Sequence, residues 1–147
     1  MNAVDTNILV YAHRSDSPWH EAAYSVLGSL SGTEWAIPWP CIHEFLAIVT
    51  HPKIFDPPTP LADAIAAVES WRAANLVLLG ETDDHWTTLK DMLVNGKIAG
   101  PQVHDARIAA LCVQHAIEEL WSADRDFTKY PALRVCNPLV TAAKSPP

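Results

Sequence analysis

The stretch Asn2–His13, NAVDTNILVYAH, decides how the rest of the chain is read. Asn2 to Val4 is a short apolar run of the kind that forms a buried strand, and Ile8–Arg14 has the spacing of a helix. Between them stand Asp5, Thr6 and Asn7. An acid where a strand ends and a helix begins has two readings. It caps the helix, because Asp and Thr side-chain oxygens accept orphan N–H groups of a first turn, or it is a functional group at the edge of a sheet. Asp5 alone does not separate the two.

Further along, short apolar runs alternate with amphipathic ones. Asn2–Val4, Trp35–Pro38, Leu76–Leu79, Glu119–Ser122 and Arg134–Cys136 read as strands. The helices run over Ile8–Arg14, Trp19–Leu30, Pro40–Thr50, Pro60–Ala73, Asp83–Asn95 and Gln102–His115, and Pro18, Pro40 and Pro60 fall at starts, where a missing N–H costs little. This alternation predicts an α/β fold: a central, parallel-rich sheet of about five short strands with helices on both faces. Functional sites of such sheets lie outside the carboxyl ends of the strands, which is where Asp5 falls. Residues 1–141 read as one domain and 142–147 as a loose, proline-ended tail.

Composition narrows the class. At 49% hydrophobic and 18% charged, the chain has the make-up of a packed globular domain. No apolar run approaches the ~18 residues of a membrane span, and the start lacks the basic region and apolar stretch of a secretion signal. Three widely spaced cysteines, Cys41, Cys112 and Cys136, contain no CxxC pair and read as reduced thiols of a cytoplasmic protein. The net charge of −7 counts against a phosphate-binding surface, unless some of the carboxylates exist to hold cations.

Several carboxylates do stand in unexpected places. In PWPCIHEFLAIVTHP, Glu44 falls on the same helical side as the apolar stripe Cys41, Phe45, Ile48 and Val49. In GPQVHDARIAALCVQHA, Asp105 falls on the side of Ile108, Ala109, Cys112 and Ala116, in a first turn where the helix dipole also favours an acid. In LWSADRDFTKYP, the strand ending near Ser122 delivers Asp124 and Asp126 to the edge that holds Asp5, although Asp is also a common turn residue. Four carboxylates on one spot cannot all remain ionised without cations between them. Hard divalent ions with oxygen ligands, magnesium or manganese, answer that need.

Taken together, VDTNILVYAH, HEFLAIVTHPKIF, VHDARIAALCVQHA and SADRDFTKYPALRVCNPL resemble the PIN-domain ribonucleases, and within them the VapC toxins of type II toxin–antitoxin pairs. The resemblance runs from Asn2 to about Val140 and implies a PIN-like fold. Carried over position by position, it makes Asp5, Glu44, Asp105 and Asp124 the catalytic, metal-binding quartet for Mg2+ or Mn2+, with Thr6, Ser122 and Asp126 as supporting residues. It implies hydrolysis of structured RNA, such as transfer or ribosomal RNA, by metal-activated water, a VapB-like antitoxin partner and a homodimer. Arg14, Lys53, Lys97, Arg107, Arg125 and Lys129 lie near these segments, and Arg14, Arg107 and Arg125 are the candidates for substrate contact. Trp35, Trp39, Trp71 and Trp121 read as core, and Trp19 and Trp86 as a partner surface.

Two other readings use the same residues. A magnesium-dependent phosphatase or phosphotransferase of similar fold also places an Asp after its first strand. It wants a second Asp two residues on and a lysine at a late strand end, whereas position 7 is Asn and no late strand end carries Lys. A non-catalytic PIN-like module that binds RNA or protein would be marked by loss of an acid, and all four are present. The seven histidines form no HxxxH or HExxH spacing and give no zinc site.

Overall fold

The computed structural model describes residues 1–140, so the tail expected over 142–147 lies outside the described residues. Five strands form one sheet: β1 (Asn2–Val4), β2 (Trp35–Pro38), β3 (Leu76–Leu79), β4 (Glu119–Trp121) and β5 (Val135–Cys136). Their order is β3-β2-β1-β4-β5, and every pairing is parallel. The predicted strands are all present, with β4 and β5 each one residue shorter than expected. Among the described residues they are flanked by the helices α1 (Thr6–His13), α2 (His20–Gly28), α3 (Trp39–Val49), α4 (Leu61–Arg72), α5 (His85–Gly96) and α6 (Gln102–Gln114). Among the helix–helix packings, α1 meets α2 and α3, α3 meets α4, and α5 meets α6.

The order of strands explains where a site can form. From β1 the chain moves through β2 to β3 on one side, and later through β4 to β5 on the other. The sheet therefore reverses direction between β1 and β4, the position where a crevice opens at the carboxyl ends. Register brings the two strands level there: Val4 pairs with Trp121, and the Asp5 N–H donates to the Trp121 carbonyl at 3.0 Å. Asp5 and Ser122, the next residues of each strand, emerge side by side.

The core holds that edge in place. Ile8, Leu9, Ile37, Phe45, Leu79, Ile108, Leu111 and Leu120 are fully or almost fully buried, drawn from α1, α3 and α6 and from β2, β3 and β4. Burying such side chains contributes roughly 1.5–3 kcal/mol each. Trp39, expected in the core, is instead 42% exposed. It is the first residue of α3 and stacks on His43 one turn later, which points its ring along the helix surface.

Candidate active site

Asp5 answers both readings of its position. It is the N-cap of α1 with extended backbone, and its Oδ1 accepts the Thr6 N–H at 2.8 Å. The same carboxylate lies on the wall of a cleft at the sheet edge, only 5% exposed. Its Oδ2 accepts the Ser122 hydroxyl at 2.6 Å and the Asn7 amide at 3.3 Å, and the buried Cys41 thiol donates to Oδ1 at 3.5 Å. Capping and site geometry are one arrangement, because a cap residue at a strand's carboxyl end is also aimed at the crevice.

The cleft has a volume of about 300 Å³ and is lined by Asp5, Thr6, Glu44, Asp105 and Asp124 together with Asn7, Tyr11 and apolar neighbours. The four expected acids, from four separate stretches of sequence, thus share one cavity. Glu44 departs from expectation in one respect: it is exposed and not turned into the core. Its position between Cys41 and Ile48 takes it to the border of the apolar face, and Thr6 Oγ1 donates to its Oε2 at 2.6 Å. Asp124 caps the 3-10 helix Arg125–Lys129, with its Oδ1 accepting the Asp126 N–H at 2.8 Å, so its turn role and its place in the cleft also coexist.

Asp126 does not line the cleft but stands beside two of the acids that do. One oxygen each of Asp105, Asp124 and Asp126 lie within 4.8 Å of one another. Among the described residues no cationic side chain lines the cleft, and the consequence is electrostatic. Burial lifts the Asp105 carboxyl to about 6, with the charges of Asp124, Asp5, Asp126 and Glu44 adding to it. Asp5 is also raised, by burial, against the opposing hydrogen bonds from Ser122, Thr6 and Cys41. A cluster of hard oxygen donors in which burial, and then mutual charge, raises a carboxyl fits a divalent cation.

Two residues that complete the site carry no motif signal strong enough to find them. Asn7 bridges both strands: its amide N–H donates to Asp5 Oδ2 and to Ser122 Oγ, each at 3.3 Å, and its Oδ1 accepts the Ala123 N–H at 3.1 Å. A side chain with a donor and an acceptor, two residues after the acid, is the only hint. Cys41 offers less, since a buried thiol on an apolar stripe looks like core.

The candidate substrate arginines are not gathered here. Arg14 is held by Asp16 at 2.6 Å and by the Pro57 carbonyl at 3.0 Å, and its guanidinium lies 4.2 Å over the Phe55 ring. Arg107 pairs with Glu81 at 3.1 Å, beyond the end of β3. Arg125 is exposed at the start of the 3-10 helix, beside Asp124.

A PIN domain profile matches residues 3–133. This chain belongs to the PIN domain family. Within the family its relatives are VapC proteins. Ribonuclease VapC48 of Mycobacterium tuberculosis is 31% identical over 137 residues, spanning 91% of this chain and 94% of the relative. Ribonuclease VapC43 of the same species is 32% identical over 142 residues, spanning 95% and 96%. Solved VapC structures share the PIN fold at lower identity. VapBC2 from Rickettsia felis, bound to a promoter DNA fragment, aligns with a TM-score of 0.69 at 16% identity, over 92% of this chain and 96% of that one. Mycobacterium tuberculosis VapC20, described as a sarcin-ricin loop cleaving toxin, aligns with a TM-score of 0.68 at 15% identity, over 89% and 95%. No described helix of this PIN domain is long and apolar enough to cross a membrane.

Proposed function

We propose that this protein is a divalent-metal-dependent endoribonuclease, the VapC-like toxin of a toxin–antitoxin pair, acting on structured RNA in the cytoplasm. The observation that carries the reading is the convergence of Asp5, Glu44, Asp105 and Asp124 on one cleft at the β1–β4 reversal, with Asp126 beside them. Relatives named ribonucleases support RNA as the substrate. A neighbour described as cleaving the sarcin-ricin loop favours a folded ribosomal or transfer RNA. Neighbours solved as VapBC assemblies favour a VapB-like partner. Trp19 and Trp86, at 44% and 64% exposed, are apolar surface suited to that partner or to a second copy in a homodimer.

Asp105, Asp124 and Asp126, with Asp5 and Glu44 completing the set, would hold Mg2+ or Mn2+. A divalent ion there supplies positive charge to the scissile phosphate and makes water a better nucleophile. The chain's own residues prepare the site. Ser122 and Asn7 fix the Asp5 carboxylate through two hydrogen bonds on Oδ2. Thr6 fixes Glu44 through Oε2, which orients that carboxylate to accept a proton from the attacking water. Arg125, exposed beside Asp124, is the candidate nearest the cleft for contact with the RNA backbone.

The test is cleavage of total cellular RNA by the purified protein with manganese or magnesium, beside Asp5→Asn and a chelator control. Discrete fragments absent from both controls are expected. Equal RNA profiles for wild type, Asp5→Asn and the chelated sample would remove the proposal.

A further inference from the structure

A second cavity, of about 330 Å³, lies between α5 and the segment that follows the 3-10 helix. One stripe of α5 supplies Thr88, Asp91, Met92 and Asn95, the i, i+3, i+4, i+7 spacing of a single helical face. Lys129 and Tyr130 close the opposite side. The surface inside is mainly carbon, and Asp91 and Asn95 are the charged and amide groups that α5 brings to it. A mostly carbon lining with a carboxylate, an amide and a phenol at its border suits a flat heteroaromatic ring. The Met92 thioether suits a ring face. The volume is at the lower end of the ~300–1,000 Å³ of small-molecule sites, enough for one base and too small for a base-paired stem.

Its place relative to the acids matters as much as its shape. Lys129 ends the 3-10 helix that contains Asp126, and Tyr130 is the cap of that helix. On α6, Val113 of the cavity wall is eight positions beyond Asp105, about 12 Å along the axis. The phenol of the buried Tyr130 is raised by burial and then by the charges of Asp105, Asp126 and Asp124. The cavity is therefore within reach of a nucleotide neighbouring one held in the cleft. Single-stranded RNA is read by splaying such bases out and bonding to their edges.

We propose that the cavity between α5 and Tyr130 is a nucleobase subsite that takes one unpaired base flanking the cleaved bond, with Asp91 selecting guanine. A carboxylate only accepts hydrogen bonds, and guanine alone presents two adjacent N–H donors on its pairing edge. Asn95, one turn on, offers both a donor and an acceptor to the rest of that edge. Lys129 provides the charge at the rim for the adjoining phosphate. This inference rests on the ribonuclease reading and goes beyond it by naming how the cut position is chosen.

The experiment is cleavage of a randomised single-stranded RNA pool with manganese, with cut ends sequenced, for wild type, Asp91→Asn and Met92→Trp. Wild type is expected to show guanine enriched at one fixed position near the cut. Asp91→Asn, at an exposed position, should lower that enrichment about tenfold and shift it toward bases with an acceptor on the edge. Met92→Trp fills the slot and should flatten the preference; if it fails to fold, Asp91→Asn still decides. Cleavage by wild type with no base preference, or with base frequencies unchanged in the variants, overturns the subsite and leaves the ribonuclease reading standing. Unchanged frequencies together with weaker binding of the cognate antitoxin would give the cavity to a protein instead. No metal-dependent cleavage by wild type removes the ribonuclease reading and the subsite together.

Discussion

Ser122 Oγ donates to Asp5 Oδ2 at 2.6 Å, joining residues 117 positions apart in sequence. The same oxygen accepts the Asp124 N–H at 3.0 Å and the Asn7 amide at 3.3 Å. One buried hydroxyl therefore sets the distance between the first acid of the site and the last. Ser122→Ala leaves a buried carboxylate short of a donor and an N–H short of an acceptor, which should cost about 1–3 kcal/mol in a urea unfolding curve. Loss of this support should also weaken manganese binding by roughly 10–100-fold by calorimetry. Ser122→Thr, which keeps the hydroxyl, should retain most of both. An alanine variant with wild-type metal affinity would show that Asp5 is oriented without Ser122.

Asp105 should separate stability from activity. Its carboxyl is raised by burial and by four neighbouring acids, so in the metal-free protein its charge opposes folding. Asp105→Asn removes that charge and keeps the shape. The expected result is a metal-free protein more stable by roughly 1 kcal/mol, a modest figure because Asp105 is partly solvated, with RNA cleavage lower by at least about 100-fold. A variant that is less stable and equally active would contradict the arrangement of charges described here.

The sheet was legible because each strand is a short apolar run between polar turns, and the parallel order follows from helices lying between them. Glu44 and Asp105 stood out as acids beside apolar stripes, and Asp5 and Asp124 as acids at strand ends. Other features depend on contacts that spacing does not encode. Asn7 acts through Ser122 and Ala123, over a hundred positions away, and only the β1–β4 register makes them neighbours. Asp5 reads as cap or ligand in sequence, while the fold lets one carboxylate do both. Glu44 sits on the border of its stripe, where periodicity alone cannot tell inward from exposed. The arginines show the same gap: nearness in sequence says nothing about partners such as Asp16 and Glu81, with which Arg14 and Arg107 pair.

Arg14 and Arg125 should accordingly behave differently. The Arg14 guanidinium holds the Asp16 carboxyl below its usual range and spans Pro57 and Phe55, so it pins one loop to another. Arg14→Ala should lower the melting temperature by a few degrees and leave the salt dependence of RNA binding unchanged. Arg125→Ala should leave melting unchanged and weaken binding with a shallower salt slope, the signature of one lost phosphate contact. Reversed results, measured by thermal unfolding and by binding at several salt concentrations, would exchange their roles.

The two buried thiols should be silent in the native protein. Cys41 and Cys112 are completely buried, and burial pushes both up, Cys41 well above the usual thiol range and Cys112 to about 12. Only the thiolate reacts. Brief treatment with iodoacetamide at mildly alkaline pH, read by peptide mass, should leave these two unmodified until denaturant is added. Rapid native alkylation of Cys41 would mean that the wall behind Asp5 opens.

Protons and metal should compete for the acidic cleft, and the sign follows from the Asp105 carboxyl. Its value is about 6 in the folded protein against 3.8 for the free group, so the native state binds more protons than the unfolded state between those values. Stability then falls as pH rises through that interval. The contribution is fully present below about 4 and is lost above about 6, the reverse of the behaviour of a salt-bridged acid. Asp5, raised by burial, acts in the same direction. A divalent ion needs these carboxylates ionised, so its binding releases protons and its stabilising effect grows as pH rises. Thermal unfolding across this range should show the metal-free protein losing stability toward neutral pH. Manganese should raise the melting temperature more at neutral pH than at mildly acidic pH. Asp105→Asn should flatten the metal-free profile and reduce the manganese effect. Metal-free stability that rises steadily with pH across the same interval would place the proton elsewhere and undo the electrostatic account of the site.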